Sequence, residues 1–160
     1  MTTFAIRQYG DPVLRQVAKE IEEIDGRVAK LAADMLATLY NTANGVGLAA
    51  PQVGVQRRMF VYDVGGGPVV VINPVIVGMS GEWEYDEGCL SVPGLSWPIV
   101  RPGSVHLTGL DLDGDELSIE GQELEGRVLQ HEVDHLDGIL LVERLDDERR
   151  REAKATLGRR

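Results

Sequence analysis

The order of the hydrophobic periodicities constrains this chain most. A helical period runs through residues 26–43, where Val28, Leu31, Ala32, Met35, Leu36 and Leu39 recur at helical spacing until Asn44 and Gly45 stop it. A second runs through residues 122–137 and is stopped by Gly138. Strand-like segments lie between them. Residues 57–63 and 68–73 are joined by a Gly65-Gly66-Gly67 turn, and 75–79 and 81–91 continue the sheet. Pro93, Gly94, Pro98 and Pro102 mark an irregular stretch. Residues 104–111 and 116–120 read as a hairpin around Asp113-Gly114. Helices and strands do not alternate, so an α+β fold is expected in place of a doubly wound parallel sheet. A short helix at 12–18, with Asp11 as N-cap and Pro12 at its first position, precedes these elements. A short strand at 139–142 and a charged helix from about 146 follow them. The 160 residues show no repeat and no linker, and form one expected domain, 1–160, with 146–160 as a helical tail.

Charge narrows the partners. A net charge of -10 argues against a surface that binds nucleic acid as a whole. The charge is uneven: residues 149–160 carry +5, which leaves -15 on residues 1–148. No apolar run is long enough to cross a bilayer, and the N-terminal residues lack the basic-then-apolar order of a secretory signal. The expected location is the cytoplasm of a bacterium or an organellar matrix, with no membrane partner. Cys89 is the only cysteine, so no internal disulfide holds the fold.

Residues 130–138 read Gln-His-Glu-Val-Asp-His-Leu-Asp-Gly. His131 and His135, four apart, project from one face of a helix and can share one metal ion. Glu132 is turned about a quarter turn away. It is poorly placed as a third ligand and well placed as a general base toward a water at the metal. Leu129, Val133 and Leu136 pack inward, with Leu124 and Val128 nearby. The bland alternative is a pair of ordinary helix histidines. A site of this type needs a third protein ligand and an open position. Cys89, in Glu87-Gly88-Cys89-Leu90-Ser91, is the candidate, although a lone cysteine is more often a buried, inert side chain. Residues 45–50 fit a loose GxGxxA pattern, but a helix precedes them and Pro51 follows, so a dinucleotide site is rejected. A tight loop that lets a substrate backbone approach fits better. Gln52 then offers an amide that could polarise a carbonyl oxygen, although a solvated loop glutamine is the plainer reading of that residue alone.

Three segments in register, Gly45-Val46-Gly47-Leu48-Ala49-Ala50-Pro51-Gln52, Glu87-Gly88-Cys89-Leu90-Ser91 and Gln130-His131-Glu132-Val133-Asp134-His135-Leu136, resemble the three motifs of peptide deformylases. Their order and separations match as well. The resemblance implies small mixed or antiparallel sheets packed around a central metal-ligand helix, with a C-terminal helix. It implies Cys89, His131 and His135 as metal ligands and Glu132 as general base and acid. The Gln52 amide and the Leu90 backbone N–H become oxyanion donors. Gly47 and Gly88 bind substrate backbone, Gly45 is a further substrate-binding residue, and Val46, Tyr85, Leu124, Arg127 and Val128 line the pocket for a methionine side chain. Glu87 and Arg101 look like a supporting ion pair. The implied activity is hydrolysis of the formyl group from formyl-methionyl nascent peptides. Fe2+ is the implied metal, although a Cys-His-His set by itself suggests Zn2+; Ni2+ or Co2+ could occupy purified protein. A monomer is expected, and the basic tail is a candidate tether to the ribosome.

Two other readings compete. A zinc endopeptidase uses the same His-Glu-x-x-His helix, but no histidine follows His135 and Glu143 is the first glutamate after it. A non-catalytic metal scaffold needs a fourth protein ligand. His106 is the spare histidine, and Val105-His106-Leu107 reads as a strand.

Overall fold

The computed structural model describes residues 2–158. Seven strands and three α-helices, in chain order, are α1 (Gly26–Tyr40), β1 (Gly47–Ala49), β2 (Met59–Tyr62), β3 (Val69–Ser80), β4 (Trp83–Cys89), β5 (Val92–Arg101), β6 (Ser104–Leu110), β7 (Glu116–Gln122), α2 (Glu123–Leu136) and α3 (Asp147–Gly158). One antiparallel sheet has the order β1-β2-β3-β6-β7, and β4 with β5 forms a separate two-stranded ribbon. The fold is α+β, as the order of periodicities implies.

Local chemistry explains most of the elements. Asp25 caps α1 by accepting from the N–H groups of Arg27 and Val28, and Val28, Ala32, Met35 and Leu39 bury its apolar face. The helix ends at Tyr40, before Asn44-Gly45, because Thr42 turns the chain: its hydroxyl donates to the Leu39 carbonyl and accepts from the Gly45 N–H. Asp63 accepts from Gly65 and Gly67 and closes the glycine turn between β2 and β3. Asp111 does the same for the β6–β7 turn through the N–H groups of Asp113 and Asp115.

The structure corrects four expectations. The helix at 12–18 is a single 3-10 turn, Pro12–Arg15, still capped by Asp11. Residues 75–79 extend β3, but 81–91 leave the main sheet and pair with β5. The stretch marked by prolines is strand β5, in which Pro98 pairs with Asp86. A two-stranded ribbon has open edges, so a proline can face away from the ladder. The irregularity is confined to residues 93–95, bulged out where Gly88 faces Ser96 but Cys89 faces Val92. Finally, Leu141–Arg144 is a 3-10 turn and no strand.

Three apolar clusters surround α2 and α1. Phe60, Tyr62, Val71 and Leu107 of the sheet meet Val128, Leu129 and Leu136 of α2. Met59, Val61 and Ile72 meet α1. Val92 and Ile99 of the ribbon meet Leu14, Leu141, Val142 and, from α3, Ala153 and Leu157. α2 is therefore buried almost all round, polar residues included: Gln130, His131, Glu132, Asp134 and His135 are all buried. Truncating Leu129 would cost about 2–5 kcal/mol and would loosen the helix that carries the histidines. Gly138, at φ 74°, ends α2, and a Cβ there would meet the Arg15 carbonyl oxygen at 2.7 Å. Arg58 donates to the Leu136 carbonyl and pairs with Asp137, placing a cation at the helix C-terminus. No helix of the described residues is long and apolar enough to cross a membrane.

Candidate metal centre and substrate cavity

Cys89 ends β4, and the adjoining bulge aims it at α2. Its Sγ lies 3.3 Å from His135 Nε2, which lies 3.2 Å from His131 Nε2. Ligand atoms on one tetrahedral ion with ordinary metal–nitrogen bonds sit about 3.4 Å apart. These three residues, two of them buried and Cys89 partly so, bring one ligand atom each to within 4.8 Å of the others; the other such group among the described residues, Asp111, Asp113 and Asp115, is largely exposed. His106 stands apart in β6, with Nε2 2.7 Å from Ser118 Oγ.

The surroundings favour a cation at this point. His131 Nδ1 faces Glu87 Oε2 at 2.7 Å, which leaves Nε2 for a metal and fixes the ring. Burial opposes a charge on His131, yet the Cys89 sulfur and Glu87 raise its pKa well above the ordinary imidazole value. His135 is pushed the other way by burial and by His131. Glu87 is held well below the usual carboxylate range: burial would raise it, but His131 and Arg101 outweigh burial. Arg101 donates twice to Glu87, at 2.9 and 2.8 Å, and once to Asp134 at 2.8 Å. Arg144 adds two bonds to Asp134. The Glu87–Arg101 pair is thus part of a buried network that joins β4, β5, α2 and the turn before α3. Removing Glu87, which holds more than one buried guanidinium, would strand charge in the interior and cost about 3–5 kcal/mol.

Glu132 is 3% exposed, and burial pushes its carboxyl up to about 7, against the pull of His131 and with Glu87 adding. Its Oε1 has no hydrogen-bond partner among the described residues. A buried carboxylate oxygen without a donor, bordering the same cavity as the convergent Cys89 and His131, suits a group that would bind a water there. Gly47 makes room for it: a Cβ there would lie 2.7 Å from Glu132 Oε2.

Gln52 is 1% exposed, in a 3-10 turn, Ala50–Val53, that follows β1. The solvated reading of this glutamine therefore fails. Its Oε1 accepts from the Ala49 N–H at 2.9 Å, which fixes the amide orientation. Its Nε2 donates to Ser91 Oγ at 3.1 Å and lies 3.7 Å from Cys89 Sγ. The Ser91 N–H donates to Cys89 Sγ at 3.4 Å. The Gln52–Ser91, Arg101–Asp134 and Glu87–His131 contacts are not expected from the sequence. Ser91 and Asp134 lie within the motifs, which is the one signal that could have found them; their partners are tertiary and leave no local pattern.

A cavity of about 530 Å³ opens beside the convergent ligands. Gly45, Val46, Gly47, Gln52, Tyr85, Gly88, Cys89, Leu90, Leu124, Arg127, Val128, His131 and Glu132 all border it. Residues of β1 and of the β4–β5 ribbon both line it. An extended chain lying between two strands can bond to their backbones.

A family model described as "Polypeptide deformylase" matches residues 3–151. A "Peptide deformylase" of Clostridium botulinum (strain Alaska E43 / Type E3) is 50% identical over 87% of this chain and 94% of its own. The crystal structure of a peptide deformylase from Legionella pneumophila superposes with a TM-score of 0.92 at 40% identity, covering 99% of this chain and 95% of that one. A peptide deformylase from Ehrlichia chaffeensis, in complex with actinonin, gives 0.92 at 37% identity over 99% and 98% of the two chains.

Proposed function

The chain belongs to the peptide deformylase family, and from that premise we propose how its residues remove the formyl group from formyl-methionyl nascent peptides. The activity is metal-dependent hydrolysis that releases formate. The observation that supports the residue assignment best is the convergence of Cys89, His131 and His135 beside a buried Glu132 whose Oε1 lacks a partner.

A divalent ion held by Cys89, His131 and His135 would supply Lewis acidity, making a water acidic and polarising the formyl oxygen. Glu132 is placed to take a proton from the attacking water as the water oxygen adds to the formyl carbon. The Gln52 amide and the Leu90 N–H stabilise the oxyanion, each donor being worth roughly a hundredfold or more in rate. Glu132 then delivers its proton to the nitrogen as the C–N bond breaks, leaving formate and a free amine. Gly47 and Gly88 hold the substrate backbone, with Gly45 beside them at the cavity. Val46, Tyr85, Leu124, Arg127 and Val128 surround the side chain.

Selectivity tests this reading. An acetyl methyl would have to fit where Glu132, Gln52, Cys89 and Leu90 already border the cavity. Formyl-Met peptides are expected to exceed acetyl-Met peptides in kcat/KM by about a hundredfold or more, the cost of about 3 kcal/mol of crowding at the reacting carbon. Comparable rates would mark a general deacylase, and cleavage of internal peptide bonds would favour the endopeptidase alternative.

The metal is proposed as Fe2+. A thiolate ligand and a redox-active ion leave Cys89 open to oxidation. Iron-loaded protein should lose activity in air within a preparation, whereas nickel- or cobalt-loaded protein should keep it. An air-stable iron form would count against iron as the native metal.

The cytoplasm and the ribosome are proposed as location and partner. The support is a tail of +5 on a body of -15, although Arg159 and Arg160 lie outside the described residues. α3 is more than a tail, because Ala153 and Leu157 are buried in a core cluster. Arg149 and Arg150 also donate to backbone carbonyls of Pro98 and Leu145. Deleting the helix would damage the core, so charge substitution is the cleaner probe. Arg151→Gln with Lys154→Gln should weaken ribosome co-sedimentation at low salt by about tenfold and leave short-peptide turnover intact. Unchanged sedimentation would reduce α3 to a structural helix.

A further inference from the structure

Glu87 is served by two buried guanidinium groups, although Arg101 alone already grips both of its oxygens. Arg127 is the second. It is 2% exposed, and its Nη1 donates to Glu87 Oε1 at 3.0 Å. Taking a second guanidinium out of water costs several kcal/mol, which one carboxylate cannot offset twice. Burial accordingly pushes the Arg127 pKa below its ordinary value. Neutralising Glu87 therefore does not account for Arg127.

Its other contacts do. Arg127 Nη2 donates to the Trp83 carbonyl. The guanidinium lies over the Trp83 ring at 5.6 Å and over the Tyr85 ring at 5.9 Å. Those rings stack on each other at 4.9 Å. Tyr85 and Arg127 border the cavity, and Arg101 does not. A continuous set of contacts therefore runs from the cavity wall, Tyr85 and Arg127, through Glu87, to His131 Nδ1.

We propose that Arg127 is a positioning residue that joins the side chain seated in the cavity to the orientation of His131, so that substrate fit is felt at the metal ligand as well as in binding. This rests on the deformylase reading of the cavity. A substrate side chain pressing on the Tyr85–Arg127 wall tightens the hold on Glu87, and Glu87 in turn fixes the imidazole. Binding energy from a remote group is then expressed in kcat. A wall that only bound the side chain would express it in KM alone.

The test compares formyl-Met and formyl-Ala peptides on Co2+-loaded protein, with a Co2+ titration of the metal-free protein and a thermal melt. In the wild type, loss of the side chain should lower kcat by about tenfold and raise KM. In Arg127→Met the kcat ratio of the two peptides should fall to within about twofold, and the Co2+ Kd should rise about tenfold, the usual effect of losing a partner behind a metal ligand. Arg127→Lys keeps a charge but cannot span Glu87 and Trp83, so it should restore Co2+ affinity without restoring the kcat ratio. Trp83→Leu should reduce the kcat ratio and leave Co2+ affinity unchanged. A lower melting temperature in Arg127→Met, with wild-type Co2+ affinity and a wild-type kcat ratio, would overturn the proposal and leave a structural arginine. If that variant does not fold, a wild-type kcat ratio in both Arg127→Lys and Trp83→Leu would overturn it. A wild type that releases no formate from either peptide would overturn the functional reading instead, and the Co2+ titration alone would then decide whether Arg127 holds His131.

Discussion

Glu132→Gln is expected to keep its metal and lose about a thousandfold to ten-thousandfold in turnover. Glutamine has nearly the same shape, so the packing of α2 should survive. The Glu132 oxygens do not belong to the convergent ligand set, so metal content should not fall. What disappears is the basic oxygen. A carboxylate with a pKa near 7 can take a proton from water and return it to the departing amine. An amide can do neither. The check is kcat on a formyl-Met peptide beside metal analysis of the same sample. Near-normal turnover at full metal occupancy would remove Glu132 from the chemistry.

Cys89→Ala, His131→Ala and His135→Ala should each lose the bound metal and, with it, formate release down to background. Three protein ligands leave no redundancy, unlike a closed four-ligand site. The variants should differ in folding. Cys89 is only partly buried and its loss should be mild, whereas His135 is 1% exposed and its loss opens a cavity inside α2's packing. A thermal melt beside metal analysis separates these effects. Full metal occupancy in a folded variant would exclude that residue from the ligand set.

The elements legible in the sequence are those with a local cause. The period of Val28, Ala32, Met35 and Leu39, the cap at Asp11 and the turns at Gly65–Gly67 and Asp113-Gly114 each act over a few residues. β5 was hidden because Pro93, Gly94 and Pro98 carry turn propensities that ribbon pairing with β4 overrides. Residues 139–142 look extended by composition, but the buried Leu141 and Val142 are placed by the cluster around Leu14 and α3, which no local pattern reports. The candidate site divides the same way. The four-residue spacing of His131 and His135 carries its own geometry. The roles of Ser91, Asp134 and Trp83 depend on contacts across 39, 33 and 44 residues of sequence. Those contacts exist only once the ribbon is folded against α2.

The most direct test is product analysis with a formyl-Met tripeptide and anaerobically prepared, metal-loaded protein. The account predicts one formate and one free-amine tripeptide per substrate consumed, with no internal cleavage and no product from metal-free protein. Dipeptide or amino-acid fragments without formate, or formate release that survives complete metal removal, would contradict it.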